Sequence, residues 1–288
     1  TMEAYAVTKN RLFRNLSEKA RCLVNADDPW VHKITEGCPV KPLTYGIEND
    51  ADIMADNISF STSGSSFSVW YQEQKVDFFW PLVGRFNVLN ALCVIGTALL
   101  HGIALDAIAP LMASFQGVPG RLERVVVDDV PLELMPAVFV DYSHKAEALK
   151  NVLQTLRECT RGRVITVFGC GGDRDREKRP MMAKIAEEFS DQVFITTDNP
   201  RNEDIDQIMK DIFSGFLMPD KHFLFYDRRD AISRAIALAT PQDVVLIAGK
   251  GHECKQYFKY HTLDFNDCEV ARECISEKLL KAGQGSLP

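Results

Sequence analysis

Residues 163–201 read RVITVFGCGGDRDREKRPMMAKIAEEFSDQVFITTDNPR, and this stretch decides the fold. An apolar run, Val164 to Phe168, meets a glycine cluster at Gly169, Gly171 and Gly172. Charged residues follow from Asp173 to Arg179, and Pro180 opens a helical pattern. A second apolar run, Val193 to Ile195, ends in Thr196-Thr-Asp-Asn-Pro-Arg201. The order is strand, loop, helix, strand, loop, with polar residues gathered just after each strand. In an open parallel sheet, ligands lie beyond the carboxyl ends of the strands. Arg174 and the quartet Asp198, Asn199, Pro200 and Arg201 are therefore expected to face one pocket.

The same alternation extends in both directions. Strand-like runs occur at Val138–Val140, Phe223–Tyr226 and Val244–Ala248. Helical patterns fall at Glu147–Leu156 and Ala231–Ala239, with a closing helix over Asp267–Leu280 and a loose end after it. This predicts an α/β, Rossmann-like domain: a mostly parallel sheet with helices on both faces. The segment Gln116-Gly-Val-Pro-Gly120 marks its start, giving domains 1–119 and 120–288. In the first domain, Met2, Tyr5, Leu12, Phe13 and Leu16 recur at helical spacing and are expected to face a core. Lys9 lies four residues beyond Tyr5 and points to the same side. Cys22–Asn25 reads as a strand, Ile58–Tyr71 as a hairpin, and Gly84–Asn90 as the entry to an apolar helix ending near His101-Gly102. Leu105–Phe115 reads as a further helix. The chain opens directly on a helical pattern, so residues are expected to precede Thr1.

The totals exclude several classes. A net charge of −7 and a pI near 5.5 argue against a nucleic-acid binder, which needs a basic face. The eight cysteines show no C-x-x-C spacing, so no structural zinc site is expected. Scattered thiols without a signal peptide point to the cytoplasm. The longest apolar stretch, Ala91–Leu100, is too short to span a bilayer.

Four polar clusters follow strands: Asp141–His144, Gly169–Arg179, Asp198–Arg201 and Gly249–Glu253. Each alone has a plain structural reading. A glycine loop before a helix is often a tight turn, Asp-Asn-Pro is often a turn, and Gly249-Lys-Gly is either a phosphate cradle or a strand end. Together they occupy one end of the predicted sheet. The dinucleotide fingerprint G-x-G-x-x-G fails here, and the P-loop sequence is absent. The arginine density favours a carboxylate or phosphate ligand, because guanidinium forks match those groups bidentately.

GCGGDRDREKRP, TTDNPR, VDYSH, GRLERV and AGKGHE together resemble the Mur ligases, and within them the branch that adds the third amino acid to UDP-N-acetylmuramoyl-L-alanyl-D-glutamate. The spacing of Met2, Tyr5, Lys9, Leu12 and Phe13 and the motif GRFNVLN at 84–90 fit the same family. The resemblance covers nearly the whole chain. It implies the rear part of a central ATPase domain followed by a complete C-terminal domain, with the UDP-binding domain and P-loop upstream. The chain alone is therefore expected to be inactive. The implied activity is an ATP-dependent amide ligase of peptidoglycan precursor synthesis, with magnesium as the counter-ion. Lys9 corresponds to the family's carbamylated lysine, whose carbamate helps hold magnesium. Asn87 and Asn90 correspond to residues near the adenine, and Arg121, Asp141 and His144 to residues near the ribose and phosphates. Arg174, Asp198, Asn199, Pro200, Arg201, Gly249 and Glu253 correspond to the amino-acid pocket. The quartet DNPR goes with meso-diaminopimelate, whose second carboxylate a cation at position 201 would read.

The sequence departs from the family pattern at Lys145-Ala146, Glu177 and Cys254-Lys255, all close to site residues. Plainer roles exist as well: a solvated lysine at 9, a helix cap at Asn87, a surface ion pair at Arg201. The competing readings are a lysine-adding Mur ligase, a folylpolyglutamate synthetase-like ligase, and a non-catalytic module that binds an amino acid or nucleotide.

Overall fold

The computed structural model describes residues 1–128 and 130–284; the end read as loose lies outside them in part, from 285 on. The chain divides into two compact units, 1–116 and 117–288.

The second unit carries the sheet predicted from its alternating pattern. Its strands are β6 (Glu123–Arg124), β7 (Ala137–Asp141), β8 (Val164–Phe168), β9 (Gln192–Thr196), β10 (Phe223–Phe225) and β11 (Val244–Ala248). Their order is β10-β9-β8-β11-β7-β6, parallel throughout except for β6, which runs antiparallel to β7. Every residue of β7, β8 and β11 is buried, the mark of a sheet covered on both faces. Side chains alternate between the faces. Val138, Val140, Ile165, Val167, Val245 and Ile247 pack on helices α8 (Arg228–Leu238) and α9 (Asp267–Gln284). Helices α5 (Ala146–Cys159) and α6 (Lys178–Phe189) pack on each other, α5 touching β8 and β11 and α6 touching β9. Between β9 and β10 runs α7 (Ile205–Phe213), capped by Asp204, whose carboxylate accepts from the Asp206 amide at 2.8 Å. A hairpin of β12 (Lys255–Tyr257) and β13 (Thr262–Asp264) follows β11.

The first unit has its own five-stranded sheet: β1 (Leu23–Asn25), β2 (Leu43–Gly46), β3 (Ile53–Ser61), β4 (Gly64–Tyr71) and β5 (Gln74–Trp80), in sequence order. Helices α3 (Arg85–Leu100) and α4 (Leu105–Ala113) cover it, burying Leu92, Ile95 and Ile108 against Ile53, Phe67 and Phe78. The opening helix, α1 (Met2–Arg14), packs on α2 (Val31–Thr35). Here the sequence expectation is corrected. Met2, Tyr5 and Leu12 are 60%, 55% and 67% exposed, whereas Ala6 and Asn10 are buried. The reason is local: the Asn10 amide donates to Ile34 O at 2.9 Å and Glu36 O at 2.8 Å, satisfying carbonyls at the end of α2 and turning that face of α1 inward.

Candidate functional site

The four polar clusters follow β7, β8, β9 and β11 at their carboxyl ends, as their spacing predicts. The glycines after β8 serve close packing. The Gly172 amide donates to Asn199 O at 2.9 Å, and a Cβ on Gly172 would lie 1.9 Å from Pro200 O. No side chain fits there, so the β8 loop rests directly on the β9 loop. A Cβ on Gly171 would meet Arg201 Nη1 at 2.9 Å and Arg174 Cγ at 3.8 Å, so both arginines flank this loop. Arg174 is exposed and donates to Asp173 O at 3.1 Å. Arg201 donates from Nη1 to Gly172 O at 2.9 Å, and its amide donates to Tyr257 O at 2.9 Å. Its φ of +53° is left-handed, a conformation that costs a non-glycine residue roughly 1 kcal/mol and that these contacts hold in place.

Beneath this loop Arg179 is fully buried. It donates to both oxygens of Glu203 at 2.8 and 2.7 Å and to Asp211 Oδ2 at 2.7 Å. Glu203 also accepts from the Asp173 amide at 3.1 Å and pairs with Arg176 at 2.9 Å. The Arg179 hydrogen bonds hold the Glu203 carboxyl at about 2, well below its ordinary 4.5. One buried cation thus fastens the start of α6 to the segment after Arg201.

A second buried network lies between the β9 and β11 loops. Asp198 and Asn199 are 7% and 2% exposed. Asn199 Nδ2 donates to Glu253 Oε2 at 2.9 Å, while Asn199 Oδ1 accepts from the Tyr257 amide at 3.1 Å. Gly249 has φ +113°, and a Cβ there would approach Asp198 Oδ2 to 2.9 Å, so this position requires glycine on both counts. Burial pushes the Asp198 carboxyl up from its ordinary 3.8, against the opposing pull of Arg228 and Lys250. Arg228 is itself buried and donates to both Asp267 oxygens at 2.8 Å and to Ala248 O at 3.1 Å. Gln256 ties the hairpin to the same loop, donating to Thr197 O at 3.2 Å and Asp198 O at 3.0 Å.

After β7, the buried Asp141 carboxylate accepts from the Leu122 amide at 2.7 Å and the Ser143 amide at 2.8 Å. Both its oxygens hold backbone. The exposed groups here surround Tyr142: the Arg121 guanidinium lies 5.1 Å from its ring, and the His144 and His252 rings lie 4.9 and 5.5 Å away. Lys178 donates to His144 O at 2.8 Å.

In the first unit, exposed Lys9 places its ammonium 4.8 Å from the Tyr5 ring centre, on the side expected from the spacing. Asn87 is buried; its Nδ2 donates to Val83 O at 2.9 Å and its Oδ1 accepts from Asn90 Nδ2 at 3.1 Å. It sits inside α3 and does not cap it, since Gly84 holds the cap position. Among the described residues, no group of three or more His, Cys, Asp or Glu could hold a metal.

Sequence reasoning missed the buried partners: Arg179 with Glu203, Arg228 with Asp267, and Lys250. Their sequence signal was slight. Arginines in the first turn of α6 and α8 oppose the helix dipole and so need an acidic partner nearby, but nothing local says which acid supplies it.

Residues 120–251 match the family described as the Mur ligase, glutamate ligase domain, and residues 1–98 the Mur ligase middle domain. The chain is 40% identical over 289 residues to the UDP-N-acetylmuramoyl-L-alanyl-D-glutamate–2,6-diaminopimelate ligase of Prochlorococcus marinus, covering 96% of this chain and 56% of that protein. The same-named ligase of Halalkalibacterium halodurans is 40% identical over 281 residues, covering 96% and 57%. A solved structure of a ligase of that name superposes with a TM-score of 0.74 at 33% identity, covering 97% of this chain and 57% of that one. The ADP complex of the MurF ligase from Thermotoga maritima, at 17% identity and a TM-score of 0.65, shares the fold, as does a Mycobacterium tuberculosis folylpolyglutamate synthase at 20% and 0.65. The chain thus spans little more than half the length of the curated relatives it matches.

Proposed function

We propose that this chain, which belongs to the Mur ligase family through both its middle and its C-terminal domain, serves an ATP-dependent amide ligase that joins meso-diaminopimelate to UDP-N-acetylmuramoyl-L-alanyl-D-glutamate. The observation that carries this reading is the pairing of opposite chemistries beyond adjacent strands. Arg174 and Arg201 flank the β8 loop, Arg201 also donating to Asn199 O at 3.4 Å, while the Asn199 side chain holds Glu253 at 2.9 Å and Asp198 precedes Asn199 in the chain. Diaminopimelate carries two carboxylates and two ammonium groups, and a pocket for it needs both signs of charge within a few ångströms. Lysine lacks the second carboxylate, so Arg201 favours diaminopimelate over the lysine-adding alternative.

The reaction joins the amine to an acyl phosphate made from the D-glutamyl carboxylate. The part of this chain's residues is to hold the amine in line and to balance phosphate charge. Arg121, Lys178, His144 and His252 around Tyr142 suit a polyphosphate, with Asp141 shaping the backbone beneath them. Asn87 and Asn90 remain the proposed adenine residues of the first unit and Lys9 the proposed carbamate. The described residues do not by themselves make a metal site, and no step is assigned to magnesium. We place the boundary between middle and C-terminal domains at 119/120. Among the described residues no helix is long and apolar enough to cross a membrane. A cytoplasmic ligase of small substrates, without nucleic acid, is the reading we adopt.

Calorimetry of this chain with meso-diaminopimelate and with L-lysine tests the pocket, and ATP-dependent ligation by the full-length protein tests the activity. Diaminopimelate is expected to bind and lysine to bind far more weakly. Equal affinities, or ligation that prefers lysine, would sink the reading.

A further inference from the structure

Lys250 stands between Gly249 and Gly251, in the segment whose sequence reads as either a phosphate cradle or a strand end. Its side chain is fully buried, and its ammonium donates to Lys255 O at 2.6 Å, Asn199 Oδ1 at 3.2 Å and Glu253 Oε2 at 3.2 Å. An ammonium has three N–H donors, so all are used and none is left for an outside anion. Burying an ammonium is costly unless it is paired and hydrogen-bonded, so this arrangement needs the Glu253 charge as its counterpart.

We propose that Lys250 is a positioning residue of the amino-acid pocket, fixing the Asn199 amide and the Glu253 carboxylate so that Glu253 receives a substrate ammonium. The inference rests on the pocket proposed above. The Asn199 orientation follows from its neighbours: the Lys250 ammonium and the Tyr257 amide are both donors and face Oδ1, which leaves Nδ2 to donate to Glu253 Oε2. Glu253 Oε2 therefore accepts twice within the protein. Oε1 accepts from none of the described residues, and the side chain retains 31% exposure. One carboxylate oxygen is anchored and the other is presented. Asn199 then acts by holding Glu253, and the selectivity for an amine at this point depends on a cation that never touches it.

The test is a double-variant cycle on the 288-residue chain, with meso-diaminopimelate as the calorimetric probe and amide hydrogen exchange at Tyr257 read alongside. Lys250→Met keeps the length and removes the charge. It is expected to weaken diaminopimelate binding about tenfold or more and to speed exchange at the Tyr257 amide. In a Glu253→Gln background, adding Lys250→Met is expected to change affinity by less than about twofold, because the group through which Lys250 acts is already altered. Equal losses in both backgrounds would assign Lys250 a merely supporting role and overturn the proposal. Should the single Lys250→Met chain not fold, the charge-balanced double variant is compared with Glu253→Gln alone. Unchanged Tyr257 protection there overturns the proposal as well. If the unsubstituted chain takes up no diaminopimelate, the pocket reading fails on its own, while Tyr257 exchange still judges Lys250.

Discussion

Replacing Glu203 by glutamine removes the anion that Arg179 grips with two hydrogen bonds of 2.8 and 2.7 Å. Both groups are out of water, with side chains 0% and 6% exposed, so solvent screening is slight. The carboxyl titrates at about 2 in the fold against an ordinary 4.5. At about 1.4 kcal/mol per tenfold in proton affinity, that difference is worth roughly 3 kcal/mol at neutral pH. The sign is that of a depressed acid. The stabilisation is complete above pH 4.5 and is lost as pH falls through about 2. Glu203→Gln is therefore expected to cost the second unit roughly 3 kcal/mol at pH 7 and less than half of that at pH 3. All three tryptophans, Trp30, Trp70 and Trp80, lie in the first unit, so their fluorescence does not report on this change. The assay is urea unfolding followed by hydrogen exchange at the Ile165 and Val167 amides of β8, at pH 7, 4.5 and 3. A difference below about 1 kcal/mol at pH 7, or one that stays constant down to pH 3, would refute the reasoning.

In the full-length protein, Arg201→Ala should lower kcat/KM for diaminopimelate about 30-fold to several thousandfold while sparing lysine, and Arg201→Lys should not restore it; equal losses for both substrates would make Arg201 a loop support. Asp267→Asn strands the buried Arg228 guanidinium and should cost about 3–5 kcal/mol in denaturant unfolding, most of it recovered when Arg228→Met is added. Asp198→Asn should stabilise the ligand-free chain increasingly as pH rises above 3.8, because burial raises this carboxyl and disfavours its ionised form, and should weaken diaminopimelate binding. Unfolding free energies at pH 4 and pH 8 that differ equally from the parent would contradict this.

The fold of the second unit was legible because its signals are local. The runs at 164–168 and 244–248 match β8 and β11 to the residue, since an apolar strand covered on both faces needs no partner to be recognised. The placement of Arg174, Asp198–Arg201 and Gly249–Glu253 at one sheet end followed from the same parallel order. The β12–β13 hairpin went unread: its strands are three residues each and its anchor is distant, through Arg201 and Gln256. Helix α1 shows the opposite failure. Its apolar stripe was visible, but a stripe states only that a side can be covered, and the face covered here is set by Asn10 and the carbonyls of α2.

What joins the loops at the sheet end is charge rather than apolar packing. Arg179, Arg228 and Lys250 are all fully buried: Arg179 and Arg228 are neutralised by acids from other segments, Glu203 with Asp211 and Asp267, while Lys250 pairs with Glu253 of its own loop and reaches across to Asn199. Such pairs add little net stability compared with apolar residues of the same shape, yet breaking one is costly, so they fix geometry more than they strengthen the fold. The distribution follows a functional logic. In the pocket proposed above, the charges not tied up in these pairs are the ones that would meet the ligand: Arg174 and Arg201 its carboxylates, and the outer oxygen of Glu253, with Asp198 behind it, its ammonium groups. A zwitterionic ligand needs both signs held a few ångströms apart without collapsing onto each other. On the proposed reading, a frame of buried ion pairs, closed before the ligand arrives, would supply that separation.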